Sequence, residues 1–427
     1  MTTGFSALFQ RYADTPCLHD GDVKLTYRET LALGRSLIQG LPRDHAFVAL
    51  RCSVSAASVS AYIALIIDGH VPLLMETDLS EPLSQQLYDN YQPDAVIDPV
   101  AGTVDILGTP PVTLHPDLGL LLTTSGSTGS PKLVRLSTAG LRANADAIAT
   151  YLALDPQERP LLHLPMSYSY GLSIINSHLV AGSCIYLTRK SVMEAGYWND
   201  LRAYEATSIA GVPFHYSAVR RLGEAKLEIP TMRTLTQAGG RLDPRLASFF
   251  ADWTSRTGRK FYIMYGQTEA GPRVAFLPPE YALTAHDAIG VPIPGVTIEL
   301  VDEDGKAVTD GQPGEMLVHS PGVMMGYAMH ANDLARGDEL CGILRTGDSA
   351  RRGEDGLLRI VGRRSRILKI YGLRVNVDEI EQRLLSFGLT AFCFGDEDKL
   401  RILIENVADV ADIRQKIVDL FSLPPRG

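Results

Sequence analysis

Cysteine is scarce in this 427-residue chain, and its pattern removes two architectures at once. Cys17, Cys52, Cys184, Cys341 and Cys393 are odd in number, widely spaced and free of any CxxC pair, so neither a disulfide framework nor a zinc cluster is expected. A reducing cytoplasm fits such usage. Positive charge is also in short supply. A net charge of −9 and a pI near 5.6 argue against wholesale nucleic-acid binding, so any anion site has to be a local pocket of amides or a few cations.

Long hydrophobic runs are missing too. The most apolar stretch, residues 61–67, is stopped by Asp68 and Gly69, far short of the ~20 residues that span a bilayer. Residues 1–11 lack a basic start followed by an apolar run, so no signal peptide is expected. No serine is flanked by glycines at both two-residue offsets, which excludes a hydrolase nucleophile elbow. His163, His178 and His215 fall in no metal-ligand pattern and read as structural histidines.

What is present is an ordinary globular composition, 45% hydrophobic and 21% charged, with 38 glycines and 25 prolines to turn the chain. The length predicts one large multilayered domain plus a smaller one. Short apolar runs at 46–50 and 95–98 alternate with helical patterns, which reads as α/β layering. Residues 118–123 read as a buried strand and residues 132–137 as a half-exposed one. A helix is expected next, capped by Ser137 or Thr138, with Leu141, Ala145, Ile148 and Leu152 on its inner face. Further strands are expected at 183–187, 260–264, 297–301 and 315–319.

The basic run Arg363, Arg364, Arg366 marks a boundary, and residues 364–427 read as a small α+β unit. In it, a strand at 367–370 precedes a helix opened by Asn376 and Glu379, with Ile380, Leu384 and Phe387 on one face. A hairpin of 391–395 with 399–405 and a helix carrying Ile413, Ile417 and Leu420 follow.

Between the two expected strands lies a loop of Thr124, Ser125, Gly126, Ser127, Thr128, Gly129, Ser130, Pro131 and Lys132. Glycines let backbone N–H groups approach an anion, hydroxyls add donors, and the lysine supplies a mobile charge, which is phosphate chemistry. It is not a Walker A loop, because Gly129 is followed by Ser-Pro and then a strand. A plain Ser/Gly turn uses the same residues, so the loop alone leaves both readings open.

Other motifs extend the pattern. Tyr265, Gly266, Gln267, Thr268 and Glu269 follow an expected strand. Arg345, Thr346, Gly347 and Asp348 come later, then Gly362 and Arg363; residues 164–171, the pair Gly239 and Gly240, and residues 314–327 complete the set. In order and spacing, residues 120–390 resemble the ANL superfamily of adenylate-forming enzymes, which holds acyl-CoA synthetases, adenylation domains of nonribosomal peptide synthetases and luciferases.

The resemblance implies an α/β fold, with a large multilayer N-terminal domain of mixed sheets flanked by helices (1–363) and a small mobile α+β C-terminal domain (364–427). It implies ATP-dependent activation of a carboxylic acid to an acyl adenylate with release of pyrophosphate, then transfer to a thiol, either coenzyme A or the phosphopantetheine of a carrier protein. Residues 124–129 and Lys132 would hold the β- and γ-phosphates, Thr268 the α-phosphate, and Glu269 a Mg²⁺ ion. Tyr265 with Gly239 and Gly240 would flank adenine, Asp348 would accept from the ribose hydroxyls, and Arg363 would contact ribose or phosphate.

The hinge of the superfamily usually carries Asp or Lys; Ser365 stands there in this chain. Residues 369–374 would enter the active site in the thiol-transfer pose. The usual adenylation lysine, in a Gly-Lys context, does not appear before Gly427, so the small domain reads as incomplete and adenylation as slow. A non-catalytic adenylate-binding homologue and an amino-acid-activating domain stay open beside the acid-thiol ligase. Residues 167–174 lack the aspartate that pairs with an amino-acid ammonium, which favours a simple acyl or aryl acid. Tyr168, Tyr170, Gly171, Ser173, Val212, Phe214 and Met264 are the candidate acid pocket.

Overall fold

The computed structural model describes residues 4–123, 132–363, 367–370, 373–386, 389–396 and 399–404. Two compact units emerge: Met1–Thr297 with Val318–Leu344, and Ile298–Leu317 with Arg345–Gly427. The expected division after Arg363 falls inside the second of these.

The first unit is built on three sheets, of seven, five and four strands. In the seven-stranded sheet, Phe47–Cys52, Val71–Glu76 and Leu118–Thr123 run parallel at the centre, and Leu133–Ser137 returns antiparallel beside Leu118–Thr123. Central parallel strands are covered on both faces, so they read as continuous apolar runs; Phe47, Ala49, Leu73, Leu118 and Leu121 all lie in one buried cluster.

Leu133–Ser137 was expected to be half-exposed, yet Leu133, Val134, Arg135 and Leu136 are all buried. The short strand Gly326–Ala328 pairs antiparallel along its other side, with Gly326 opposite Arg135 and Tyr327 opposite Val134. Arg135 alternates like a surface residue but spends its charge internally. Its guanidinium binds the Glu339 carboxylate and the backbone carbonyls of Arg336, Gly337 and Met325.

The helix Thr138–Tyr151 starts where its cap predicts, the Ser137 side chain accepting from Gly140 N–H, and it buries Leu141, Ala145 and Ile148. Leu152 is the C-cap residue rather than part of the stripe. Beside it packs the helix Ser169–Ala181, which is buried on nearly all sides and therefore shows no polar face. The five-stranded sheet runs Ser208–Gly211, Thr234–Gln237 and Lys260–Tyr265 in parallel, then Ala275–Leu277 and Val291–Pro292 antiparallel.

In the second unit, strands Thr297–Val301, Gly314–His319, Ile343–Arg352 and Leu358–Arg363 form a four-stranded sheet. Two hairpins follow, Ile367–Ile370 with Leu373–Asn376 and Ala391–Asp396 with Lys399–Ile404. The helix Val377–Ser386 lies between them in sequence, and its Val377, Ile380 and Leu384 pack on Cys393 as the α+β reading anticipates. Phe387, Ile413, Ile417 and Leu420 lie outside the described residues, as do Thr124, Ser125, Gly126, Ser127, Thr128, Gly129 and Ser365.

Candidate adenylate-forming site

The strand Lys260–Tyr265 ends at Tyr265, and the chain turns through Gly266 and Gln267 into a single 3₁₀ turn, Thr268–Ala270. The turn is tight because the chain doubles back at once: Val274 N–H donates to the Tyr265 carbonyl at 2.8 Å. A side chain at Gly266 would put its Cβ 2.2 Å from the Pro272 carbonyl oxygen, so only glycine fits there. The carboxyl-terminal end of this strand thus presents Thr268 and Glu269, the place where open α/β sheets bind ligands.

Glu269 is held by a residue that sequence reading assigned no role. The Tyr327 hydroxyl donates to Glu269 Oε1 at 2.7 Å, and the Lys132 Nζ sits 3.7 Å above the centre of the same ring. Strand pairing explains the convergence, since Lys132 leads directly into Leu133, which lies opposite Ala328. Burial, and then the hydrogen bond and charge of Glu269, push the Tyr327 phenol well above its ordinary range, so it stays a donor at neutral pH. Thr268 Oγ1 meets Ser169 Oγ at 3.0 Å, joining the turn to the start of the Ser169–Ala181 helix. Gln267 Nε2 is buried without a hydrogen-bond partner among the described residues, a donor left over for a ligand.

Gly239 and Gly240 close the Thr234–Gln237 strand with Gly239 at φ 76°, and a Cβ on Gly239 would lie 2.2 Å from the Tyr168 hydroxyl. Gln237 Nε2 braces this turn by donating to the Gly240 carbonyl at 2.8 Å. Tyr168, Val212 and Gly239 therefore form one wall, with Tyr168 partly buried.

Of the other candidate pocket residues, all but Phe214 are buried. Tyr170 is 2% exposed, and its hydroxyl is spent on Thr236, donating to the carbonyl at 2.9 Å. Ser173 donates to the Tyr170 carbonyl within its own helix, and Gly171 is buried against the Pro165 carbonyl. Ser173 does line a small cavity between the helices Thr138–Tyr151 and Ser169–Ala181. Met264 is buried, with its sulfur accepting from Tyr151 and Arg273. Phe214 is the outlier: at 64% exposed it projects from the first turn of the helix Pro213–Leu222.

The three histidines are structural, as expected. His163 and His215 share a hydrogen bond at 3.2 Å, and burial holds His163 down to about 3. His178 bonds the Ile174 carbonyl at 2.8 Å, and burial holds it down to about 4.

In the second unit, Asp348 and Arg363 are cross-strand partners. Arg363 Nε donates to Asp348 Oδ1 at 2.9 Å; the carboxylate is buried while the guanidinium is largely exposed. Asp348 follows Gly347, at φ 74°, inside a strand rather than in a turn. Its N–H is fixed by Thr346 Oγ1 at 3.1 Å, and that hydroxyl itself donates to the Met316 carbonyl.

Among the described residues no three His, Cys, Asp or Glu side chains come together as a metal cage. Glu269 as a lone carboxylate suits Mg²⁺, which is commonly held by one or two carboxylates, waters and substrate phosphates. No helix among the described residues is long and apolar enough to cross a membrane.

A family model for AMP-binding enzymes matches residues 103–328. A long-chain-fatty-acid CoA ligase of Escherichia coli O157:H7 is 32% identical over 281 residues, covering 64% of this chain and 48% of the relative. The chain thus spans about half the length of such relatives. A 2-succinylbenzoate CoA ligase of a Geobacillus species is 28% identical over 407 residues, covering 89% of this chain and 81% of the relative. The fold matches an o-succinylbenzoate CoA synthetase of Bacillus subtilis, solved with its acyl-adenylate intermediate, at a TM-score of 0.80 and 22% identity over 99% of this chain and 93% of the other.

Proposed function

The chain belongs to the AMP-binding enzyme family, within the ANL superfamily, and from that premise we propose that it joins a carboxylic acid to a thiol through an acyl adenylate made with ATP. The observation that carries this reading is the clustering of Lys132, Tyr327 and Glu269 immediately beside Thr268. Attack of a carboxylate on the α-phosphate with loss of pyrophosphate needs cations and donors around crowded phosphate oxygens, and a carboxylate to hold a metal among them.

Lys132 supplies a mobile cation, Thr268 a hydroxyl, and Gln267 an unused amide donor. Glu269, oriented by Tyr327, would hold Mg²⁺, which when bound neutralises phosphate charge. Residues 124–129 would wrap the β- and γ-phosphates. Tyr265, Gly239 and Gly240 would receive the adenine; Asp348, paired with Arg363, would accept from the ribose. Residues 364–427, turning about Ser365, would serve the transfer step, with coenzyme A or a carrier-protein phosphopantetheine as acceptor.

The test is carboxylate-dependent exchange of labelled pyrophosphate into ATP over a panel of aliphatic, aryl and amino acids, followed by thioester formation with coenzyme A or a phosphopantetheinyl carrier. Exchange with aliphatic or aryl acids is expected. Exchange with amino acids alone would overturn the choice of acid, and no exchange with any acid would overturn the ligase reading.

A further inference from the structure

Lys132 and Glu269 carry opposite charges and touch the same ring, yet they do not pair. Among the described residues neither takes part in an ion pair. The Lys132 ammonium sits 3.7 Å above the centre of the Tyr327 ring, while the hydroxyl of that ring donates to Glu269 Oε1 at 2.7 Å. One phenol therefore occupies both partners at once.

Sheet register builds this arrangement. Leu133 lies opposite Ala328 and Val134 opposite Tyr327, so continuing the antiparallel register sets Lys132 diagonal to Tyr327, where a long side chain reaches an aromatic one. Glu269 is tied to the same segment through its backbone, its carbonyl accepting from Met324 N–H at 2.9 Å. The backbones of Lys132 and Glu269 are thus held by strand pairing and by this bond, without the phenol. Only their side-chain ends depend on it.

All three residues are partly buried, where water screens charge less than in bulk. An ammonium and a carboxylate left free there attract each other. Such a pair would spend the cation that phosphate needs and the carboxylate that a metal needs. The ring offers the ammonium a different seat, and the hydroxyl occupies the carboxylate with a neutral donor that leaves its charge uncancelled. The seat is shallow. A cation over an accessible ring gains only about two- to fivefold, so a triphosphate, with its charged oxygens, draws the ammonium away.

We propose that Tyr327 is a positioning residue that keeps Lys132 and Glu269 apart, so that the empty site does not neutralise itself before a nucleotide and its cation arrive. This role rests on the ATP-handling reading above.

Two measurements test it on wild type, Y327F and Y327L, each first shown folded, with Y327M taking the place of Y327L if the leucine form does not fold. The first is carbodiimide coupling of the ligand-free protein, which joins an amine to a neighbouring carboxylate as an amide, read by mass spectrometry of the Lys132 and Glu269 peptides. Y327L, without a ring, should couple these two residues several-fold more than wild type or Y327F. The second is calorimetric affinity for Mg·ATP without acid, with and without K132M. An exposed Lys–Glu pair is worth up to about fivefold. Passing from Y327F to Y327L should therefore cost about two- to fivefold in affinity when Lys132 is present and nothing when it is Met, because no ammonium is then left to fall onto Glu269. A ring that only packs would cost the same in both backgrounds. Equal coupling in all three proteins, or an equal cost with and without Lys132, overturns the proposal. Selective coupling in Y327L with no Mg·ATP binding to wild type leaves the spacing standing and removes the ATP-handling reading; Mg·ATP binding with equal coupling keeps that reading and removes the spacing.

Discussion

Replacing Tyr327 by Phe removes one oxygen and leaves the ring, which makes it the sharpest probe of the candidate site. The hydroxyl donates to the Glu269 carboxylate at 2.7 Å. Hydrogen bonds to charged groups contribute roughly 1.5–3 kcal/mol, and the partly exposed setting of Tyr327 points to the lower end. If Glu269 must be aimed to hold Mg·ATP, Y327F should raise KM for Mg·ATP about tenfold, since every 1.4 kcal/mol is about a factor of ten. The Phe ring still offers its face to Lys132. Y327L offers none, and losing a cation–π contact of about 1 kcal/mol should raise KM roughly fivefold further. Both are read from Mg·ATP titrations of pyrophosphate exchange at saturating acid. Wild-type KM in both variants, or identical values for the two, would refute the assigned division of labour between hydroxyl and ring.

Three further outcomes are expected. His163 and His178 are held neutral at about 3 and 4, below their ordinary 6.5, so the unfolded chain takes up protons they refuse. Stability is complete above pH 6.5 and falls as the pH drops toward those values, each histidine adding up to ~1.4 kcal/mol per pH unit; H163N should flatten the denaturant-midpoint profile in that window, and an unchanged slope would exclude it as a source. D348N keeps the shape of the buried side chain but loses the charge facing Arg363, and should weaken ATP binding by about tenfold in calorimetry. G239A places a methyl group against the Tyr168 hydroxyl at a φ of 76° and should cost roughly 1–2 kcal/mol, part of which Y168F recovers; additive effects in that double mutant would show that the two positions do not meet.

The layers and the turn carrying Thr268 and Glu269 were legible because they are local. An apolar run bounded by turns names the strand 118–123, and a serine before a stripe of Leu141, Ala145 and Ile148 names the helix after it. Glu269 could be picked out from its own neighbours. Its partner could not, since Tyr327 lies 58 positions away and is brought in only by the pairing of Gly326–Ala328 with Leu133–Ser137. Periodicity misled at Arg135, where strand alternation reads as exposure although the residue is covered by Glu339 and three carbonyls. Arg273 follows a proline and carries no role in the sequence reading, yet it is 1% exposed. Its one signal is the apolar company of Val274 and Ala275, which hints at burial without naming what the charge faces. The pocket residues on the Ser169–Ala181 helix were separable only by direction, because a fully buried helix offers no polar face to sort them.

Arg135 bears on how pieces of such proteins can be exchanged. Its side chain anchors residues 325–339 from beneath, and Gly326 leaves room for it: a Cβ there would lie 2.7 Å from Arg135 Nη2. A slip of one residue along Leu133–Ser137 would turn Tyr327 to the opposite face and leave Glu269 without its donor. The segment that holds the Glu269 carboxylate in place is therefore not self-contained. A chimera that grafts residues 325–339 from a relative has to carry Arg135, Glu339 and Gly326 as a single unit, or the transplanted strand will lack the peg that sets its position.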